Sequence, residues 1–326
     1  MPTPEPLVTV IVPGWNIARY AAEALSSLRA QTLGAWRAIL VDDGSTDGTG
    51  DVFADFARRD PRFAHVTHPA QRGLGAARNT GLERVETRYV GFLDGDDVML
   101  PRALELLVGS LESTGSDIAV GQYTRLRPGP GGYEPSPVQP WVHDSTVPAR
   151  AGVTLADHPD VTSNIVAWSK VSRAEFWRAH HLRFPQGLYE DQAVTQTMYV
   201  RARAIDTIAE PVVHWRVRAE GTSITQHEAD PAVLTAVLDA LREGLDILRR
   251  EGPDVAVQAR IGQILRMDVP RLEALDLDTA SRAAVEDFAA ELDEILMTDL
   301  PRSDGFSAAS TSDSGKPGAL AQDRGA

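Results

Sequence analysis

The residues with the greatest chemical potential in this chain lie in short clusters, and the densest is Asp94-Gly-Asp-Asp97, three carboxylates in four positions. Like charges at that spacing repel unless a cation shares them. Hard oxygen donors suit Mg2+ or Mn2+, ions that complete their shells with water and substrate phosphates. The plainer alternative is a solvated Asp/Gly turn ahead of a helix. A second cluster, Asp42-Asp-Gly-Ser-Thr-Asp47, offers carboxylates that can accept hydrogen bonds from a base or a ribose, with Asp47 free to cap a helix. Gln71-Arg-Gly-Leu-Gly-Ala-Ala-Arg-Asn79 contains most of a dinucleotide fingerprint, but Arg78 stands where its third glycine belongs. It fits a close approach at a helix start, with Arg72 and Arg78 as fork-shaped cations for phosphate or base; exposed helix-surface arginines are the alternative. Tyr189-Glu-Asp-Gln192 follows turn residues and opens a helix, where acidic groups favour the positive dipole end. Alternatively, Asp191 points into a site as general base for an incoming hydroxyl. His214 is a lone histidine of the kind usually packed or exposed, and Arg216 and Arg218 share its face by two-residue alternation, a cationic edge suited to a pyrophosphate leaving group.

Those clusters must be held by something, and the first hundred residues show what. Short β-branched runs at Val8–Val12, Ala38–Val41, Phe63–His65 and Tyr89–Leu93 alternate with amphipathic stretches. Tyr20, Ala24 and Leu28 recur at helical spacing, as do Val52 and Phe56, and then Leu104, Leu107, Val108 and Leu111 after a Pro101 suited to a first helical turn. Strand-helix alternation of this kind predicts an α/β fold, a mostly parallel central sheet with helices on both faces. In such sheets ligands bind beyond the carboxyl ends of the strands, and Pro13-Gly-Trp-Asn16 and the first three clusters named above follow the four strands in turn. Pro128 to Pro140 reads as a loop. A helix near Glu190–Arg201 and a strand at Val212–Val217 follow. From Asp230 to Leu300 the chain is Ala/Leu/Glu/Arg-rich, with Val233, Val237, Leu241, Leu245 and Leu248 in register for a helix. The expected organisation is a catalytic-type domain over 1–228, a helical appendage over 229–300 and a disordered tail over 301–326.

Composition narrows the function. With 43% apolar and 24% charged residues the chain can bury a sizeable core. Its 46 acidic residues outnumber 32 Lys and Arg, giving a formal charge of −14, which disfavours a nucleic-acid partner. The absence of cysteine excludes disulfides, thiolate metal sites and cysteine nucleophiles. Apolar runs are too short for a membrane span, and the N-terminal residues lack a signal-peptide pattern. The expectation is a soluble cytoplasmic protein, at most peripheral at the inner face of the membrane.

Taken together, Thr9-Val-Ile-Val-Pro13, Asn16, Val41-Asp-Asp-Gly-Ser-Thr-Asp47, Gly73-Leu-Gly-Ala-Ala-Arg-Asn79, Phe92-Leu-Asp-Gly-Asp-Asp97 and Tyr189-Glu-Asp191 resemble glycosyltransferase family 2, inverting nucleotide-sugar transferases with a GT-A fold. The likeness spans about Val8 to Thr225. It implies a nucleotide-diphosphate sugar donor, most often a UDP-sugar, and a divalent cofactor, Mn2+ or Mg2+. Carried onto this sequence, the Pro13 to Asn16 turn with Trp15, and Asp42 or Asp43, would hold base and ribose. Arg72, Gly75, Arg78 and Asn79 would line the nucleotide, and Asp94, Gly95 and Asp96, with Glu190 and Arg216, would face ribose, pyrophosphate and sugar. Asp94, Asp96 and His214 form the expected metal set, and Asp191 the catalytic base. Trp15 stands where such proteins usually carry Tyr or another modest residue, and Arg72 where Asn or Glu is commoner. The block Asn164 to Lys170 through Phe184 to Asp191 is similar to the subset acting on cell-surface polymers, which implies a glycan or polyol-phosphate acceptor. The helices after Asp230 lie outside the motifs and could form a homo-oligomer, dock a partner or brace the fold. Two rivals remain open: a sugar nucleotidyltransferase, which should carry a basic Gly-rich loop where Pro13-Gly-Trp-Asn16 stands, and a non-catalytic nucleotide or carbohydrate-binding module.

Overall fold

The computed structural model describes residues 5–219, 221 and 227–298. At its centre is β1 (Val8–Gly14), every residue of which is buried. It pairs in parallel with β2 (Trp36–Asp42) on one side and β4 (Tyr89–Phe92) on the other, and β3 (Phe63–Thr67) extends the sheet beyond β2. A strand covered on both faces must be apolar throughout rather than alternating, which is why Val8 to Val12 is a continuous run. The helices that cover it are α1 (Ala18–Arg29), α2 (Thr49–Arg59), α3 (Leu74–Leu82) and α4 (Ala103–Thr114). Helix α1 buries Tyr20, Ala24 and Leu28, and α4 buries Leu104, Leu107, Val108 and Leu111, the stripes expected from spacing. In α2 the fully buried residues are Thr49 and Phe53, while Val52 and Phe56 are half-buried. Pro101 lies in the turn before α4 rather than in its first turn.

The second half adds strands that hydropathy did not announce. Past β4 the order runs to β9 (Lys170–Arg173), β6 (Ile118–Gly129), β10 (Ile205–Arg216) and β5 (Val98–Met99), with β7 (Gly132–Pro135) on β6 and β8 (Arg150–Val153) on β10. Because β9 runs antiparallel to both β4 and β6, and β5 antiparallel to β10, the sheet is mixed. The stretch expected as a loop from Pro128 is partly a hairpin: Pro128 pairs with Tyr133 and Gly129 with Gly132, whose φ of 122° only glycine adopts readily. Prolines are tolerated there because this is the outer end of the sheet. Strand β10 begins seven residues before the expected Val212; register shifts around Pro211 break its pattern.

Short helices α5 (Pro140–Asp144) and α6 (Ala174–Ala179) and 3-10 turns at Pro159–Ser163 and Ala167–Ser169 lead to α7 (Asp191–Arg201). Then follow α8 (Pro231–Glu251), α9 (Asp254–Gln263), a π-turn at Ile264–Asp268, α10 (Val269–Glu273) and α11 (Thr279–Thr298). Asp230 caps α8 by accepting from the Ala232 and Val233 amides, with Pro231 in the first turn. The buried stripe of α8 is Leu234, Val237, Leu238, Leu241, Leu245 and Leu248; Val233 is only half-buried. One continuous core joins Val10, Phe92, Val171, Met198, Leu241, Ile261 and Phe288, so the C-terminal helices share the sheet's interior. Residues 301–326, expected to be disordered, lie outside the described residues. No helix among the described residues is long and apolar enough to cross a membrane.

Candidate active site

The carboxyl end of β4 and the starts of α3 and α7 converge on one buried guanidinium. Arg78, one turn into α3, donates from Nη1 to Glu190 Oε1 (2.5 Å) and Asp191 Oδ1 (2.5 Å) and from Nη2 to Asp94 Oδ1 (2.7 Å). Its side chain is 1% exposed, and its plane lies over the Phe184 ring at 5.1 Å. Burial alone would favour the neutral guanidine, but the surrounding Asp191, Asp94 and Glu190 hold Arg78 firmly charged. The fork's separate nitrogens reach carboxylates on different sides, where a lysine would offer a single point charge. Glu190 precedes α7 with its side chain on Arg78 rather than on the helix amides, in a sharp turn where Tyr189 has φ 59°, a left-handed conformation uncommon for a bulky residue and often kept where a site needs it. Asp191 receives a second hydrogen bond, from the Ala167 amide to Oδ2 (3.0 Å).

Burial raises the Asp191 carboxyl against the pull of Arg78, and Glu190 is pushed up to about 7, again by burial first, with Arg78 opposing. Between the ordinary Glu range and about 7 the unfolded chain releases the Glu190 proton while the folded chain keeps it, so stability falls as pH rises through that window. Glu190→Gln, which keeps an acceptor for Arg78, is expected to make that decline shallower in denaturant titrations at pH 5, 6 and 7; an unchanged slope would contradict the assignment.

Asp94, Asp96 and Asp97 follow β4 in one turn. Asp96 Oδ2 accepts from Arg218 Nε (2.7 Å), and Asp97 Oδ1 accepts from the Arg216 amide (2.8 Å). Burial raises both carboxyls; Asp94 adds to each by repulsion, and Arg218 opposes at Asp96. Asp97 Oδ2 is buried without a hydrogen-bond partner. The carboxylate oxygens of Asp94 and Asp96 have the donor chemistry a hard divalent cation takes, with Asp94 Oδ1 on Arg78 and Asp96 Oδ2 on Arg218 in this structure. His214 is not gathered with them: it lies in β10 opposite Val98, its Nδ1 within 2.6 Å of Thr124 Oγ1, and burial lowers its pKa. Among the described residues no group of three or more His, Asp or Glu side chains is arranged around a common point as for an ion. Arg216 is 2% exposed and committed to the Asp96 carbonyl (2.7 Å) and Glu23 (2.7 Å), so it shapes the Asp turn from behind.

Other expected donor residues divide into those that face the mouth and those that build it. Trp15 is 46% exposed, and Arg72 is exposed with no carboxylate on its guanidinium among the described residues. Asn16 (φ 51°) accepts from the Thr46 amide through its side chain and donates its own amide to Ser45 Oγ, joining the loops after β1 and β2. Asp43 bonds His68 Nδ1 (2.6 Å) and accepts from the Arg72 and Gly73 amides, while Asp42 accepts from the Ser45 amide. Both are 3% exposed, so a base would meet loops these carboxylates shape rather than open carboxylates. Asn79 is spent on the Phe184 backbone, donating to its carbonyl (2.9 Å) and accepting from its amide (3.0 Å). Gly75 and Gly95 answer to crowding: a Cβ would stand 2.3 Å from the Pro185 carbonyl oxygen in the first case and 2.3 Å from Ile17 in the second. Pro13 is buried in β1, and its carbonyl accepts from the Gly95 amide. Two participants carried no motif to find them by: His68 is a single residue after β3, and Glu228 accepts from the Tyr189 hydroxyl (3.0 Å). Lys170, which ends the Asn164 to Lys170 block but had no role given to it, is buried near Asp191.

Comparison with known proteins places this geometry. The family model described as glycosyl transferase family 2 matches residues 9–193. The chain is 41% identical over 113 residues to the uncharacterized glycosyltransferase EpsJ of Bacillus subtilis, covering 35% of this chain and 33% of that protein. It is 29% identical over 250 residues to the glycosyltransferase GlyA of Streptococcus pneumoniae, covering 75% and 35%. The chain thus spans about a third of the length of these two relatives. A crystal structure of S. aureus TarS 1–349 in complex with UDP-GlcNAc superposes with a TM-score of 0.69 over 87% of this chain and 80% of that one, at 18% identity, a likeness of fold.

Proposed function

The chain belongs to glycosyltransferase family 2, and from that premise we propose that it transfers a sugar, with inversion, from a nucleoside diphosphate to an acceptor hydroxyl. The observation that carries the proposal is the Arg78 node: a helix-start carboxylate, Asp191, faces the Asp94 turn across a single buried cation. In this account Asp191 takes the proton of the acceptor hydroxyl as its oxygen bonds the anomeric carbon. The bond from that carbon to the diphosphate breaks on the opposite face, and its electron pair leaves with the nucleotide. A single displacement inverts the centre. Arg218, on Asp96, and the exposed Arg72 are the cations placed to meet diphosphate charge. Asp94 and Asp96 would hold a divalent cation, Mn2+ or Mg2+, whose charge supplies further neutralisation of the leaving group.

A UDP-sugar is the donor we favour, because the TarS structure was solved with UDP-GlcNAc in a comparable fold. The acceptor we propose is a glycan or polyol-phosphate polymer of the cell surface. In the assay, UDP release from UDP-GlcNAc or UDP-glucose is followed with Mn2+ present. Turnover that is lost in an Asp94→Ala/Asp96→Ala double variant is expected. UDP binding without turnover under these conditions would favour a non-catalytic module.

A further inference from the structure

Lys170, the first residue of β9, is 3% exposed, and burial lowers its ammonium to about 7 against the opposing charge of Asp191. Nothing in packing requires a charge there, since methionine or leucine would fill the space without the desolvation cost. What the ammonium does is visible in its bonds. It donates to the Val166 carbonyl (2.5 Å) and Asn164 Oδ1 (3.0 Å), and lies 5.6 Å over the Tyr199 ring. The same turn is gripped by α7, the helix that Asp191 begins: Tyr199 Oη donates to the Asn164 carbonyl (2.7 Å) and Thr195 Oγ1 to the Ile165 carbonyl (2.8 Å). Three consecutive carbonyls, at 164, 165 and 166, are therefore each held by a different side chain. The next peptide amide, Ala167, donates to Asp191 Oδ2.

We propose that Lys170 is a positioning residue for Asp191: by clamping the 164–167 turn it aims the Ala167 amide at Oδ2 and so fixes the rotation of the carboxylate. The Ala167 amide holds Oδ2 and Arg78 Nη1 holds Oδ1, so the turn supplies one of the two contacts that set the carboxylate's orientation. This rests on the assignment of Asp191 as base, and a misrotated base loses rate without losing substrate.

Two variants test it. Lys170→Met removes the clamp. Ala167→Pro removes only the amide; Val166 already has φ −76° and ψ 137°, which suits a residue before proline, and Ala167 opens a 3-10 turn where proline fits. UDP-GlcNAc or UDP-glucose hydrolysis and the UDP-induced rise in melting temperature are measured on both. The expected result is a fall in kcat of about 10-fold or more, with KM for donor within about 2-fold and the UDP shift retained. Should Lys170→Met fail to fold, Lys170→Gln, shorter and uncharged, is measured in its place. Unchanged kcat in folded protein, or kcat and UDP binding falling together, overturns the proposal. Asp191→Asn run alongside separates the two ideas: if it retains turnover the base assignment fails, and if it alone is inactive only the positioning role fails.

Discussion

Asp191→Asn is expected to lower turnover of a nucleotide-sugar donor by about 100-fold or more while leaving nucleotide binding close to that of the parent protein. The amide keeps an oxygen that can accept from Arg78 or from the Ala167 amide, so the start of α7 should hold its shape. What disappears is the capacity to take a proton. Steady-state kinetics with UDP release as the readout, beside a UDP binding isotherm, makes the check. Turnover within a few-fold of the parent would remove Asp191 from the role of base.

Arg78→Met carries the second large effect, this time on the fold as well as the site. The guanidinium is the shared partner of Glu190, Asp191 and Asp94, and each was taken from water in its company. Removing one member of a buried ionic group strands the others, a loss of about 3–5 kcal/mol. Denaturant unfolding should show it directly. A variant as stable as the parent would mean that the three carboxylates do not depend on Arg78.

How much of this was legible beforehand follows from where the physics is local. β1 and the stripes of α1 and α4 could be read because a buried strand and a one-sided helix write their burial into the spacing of neighbouring residues. β9 and β8 could not: each is a four-residue strand whose existence depends on partners dozens of positions away. The same division runs through the site. Asp94, Asp96, Arg78 and Asp191 were found by motif, and the structure brings Arg78 into contact with Asp94 and Asp191. Asn79 and Gly95 look like ligand-facing positions in sequence, yet their neighbours show them pinning Phe184 and admitting Ile17. His214 shares a strand with Arg216, but its hydrogen bond runs sideways to Thr124, an interaction visible only once β6 lies alongside β10. Lys170 is the converse case: it ends the Asn164 to Lys170 block without a role that sequence assigns, and its bonds to that turn are visible only in the structure.

The most direct test of the donor site is a thermal-shift comparison of UDP, GDP, CDP and dTDP, each with and without Mn2+, on the parent protein and on Asp94→Ala/Asp96→Ala. A ligand that binds only the folded state at 100 times its Kd stabilises by about 2.7 kcal/mol, well within reach of the method. The account predicts a Mn2+-dependent shift with UDP that the double variant loses. No shift with any of the four nucleotides, or a shift that survives in the double variant, would contradict it.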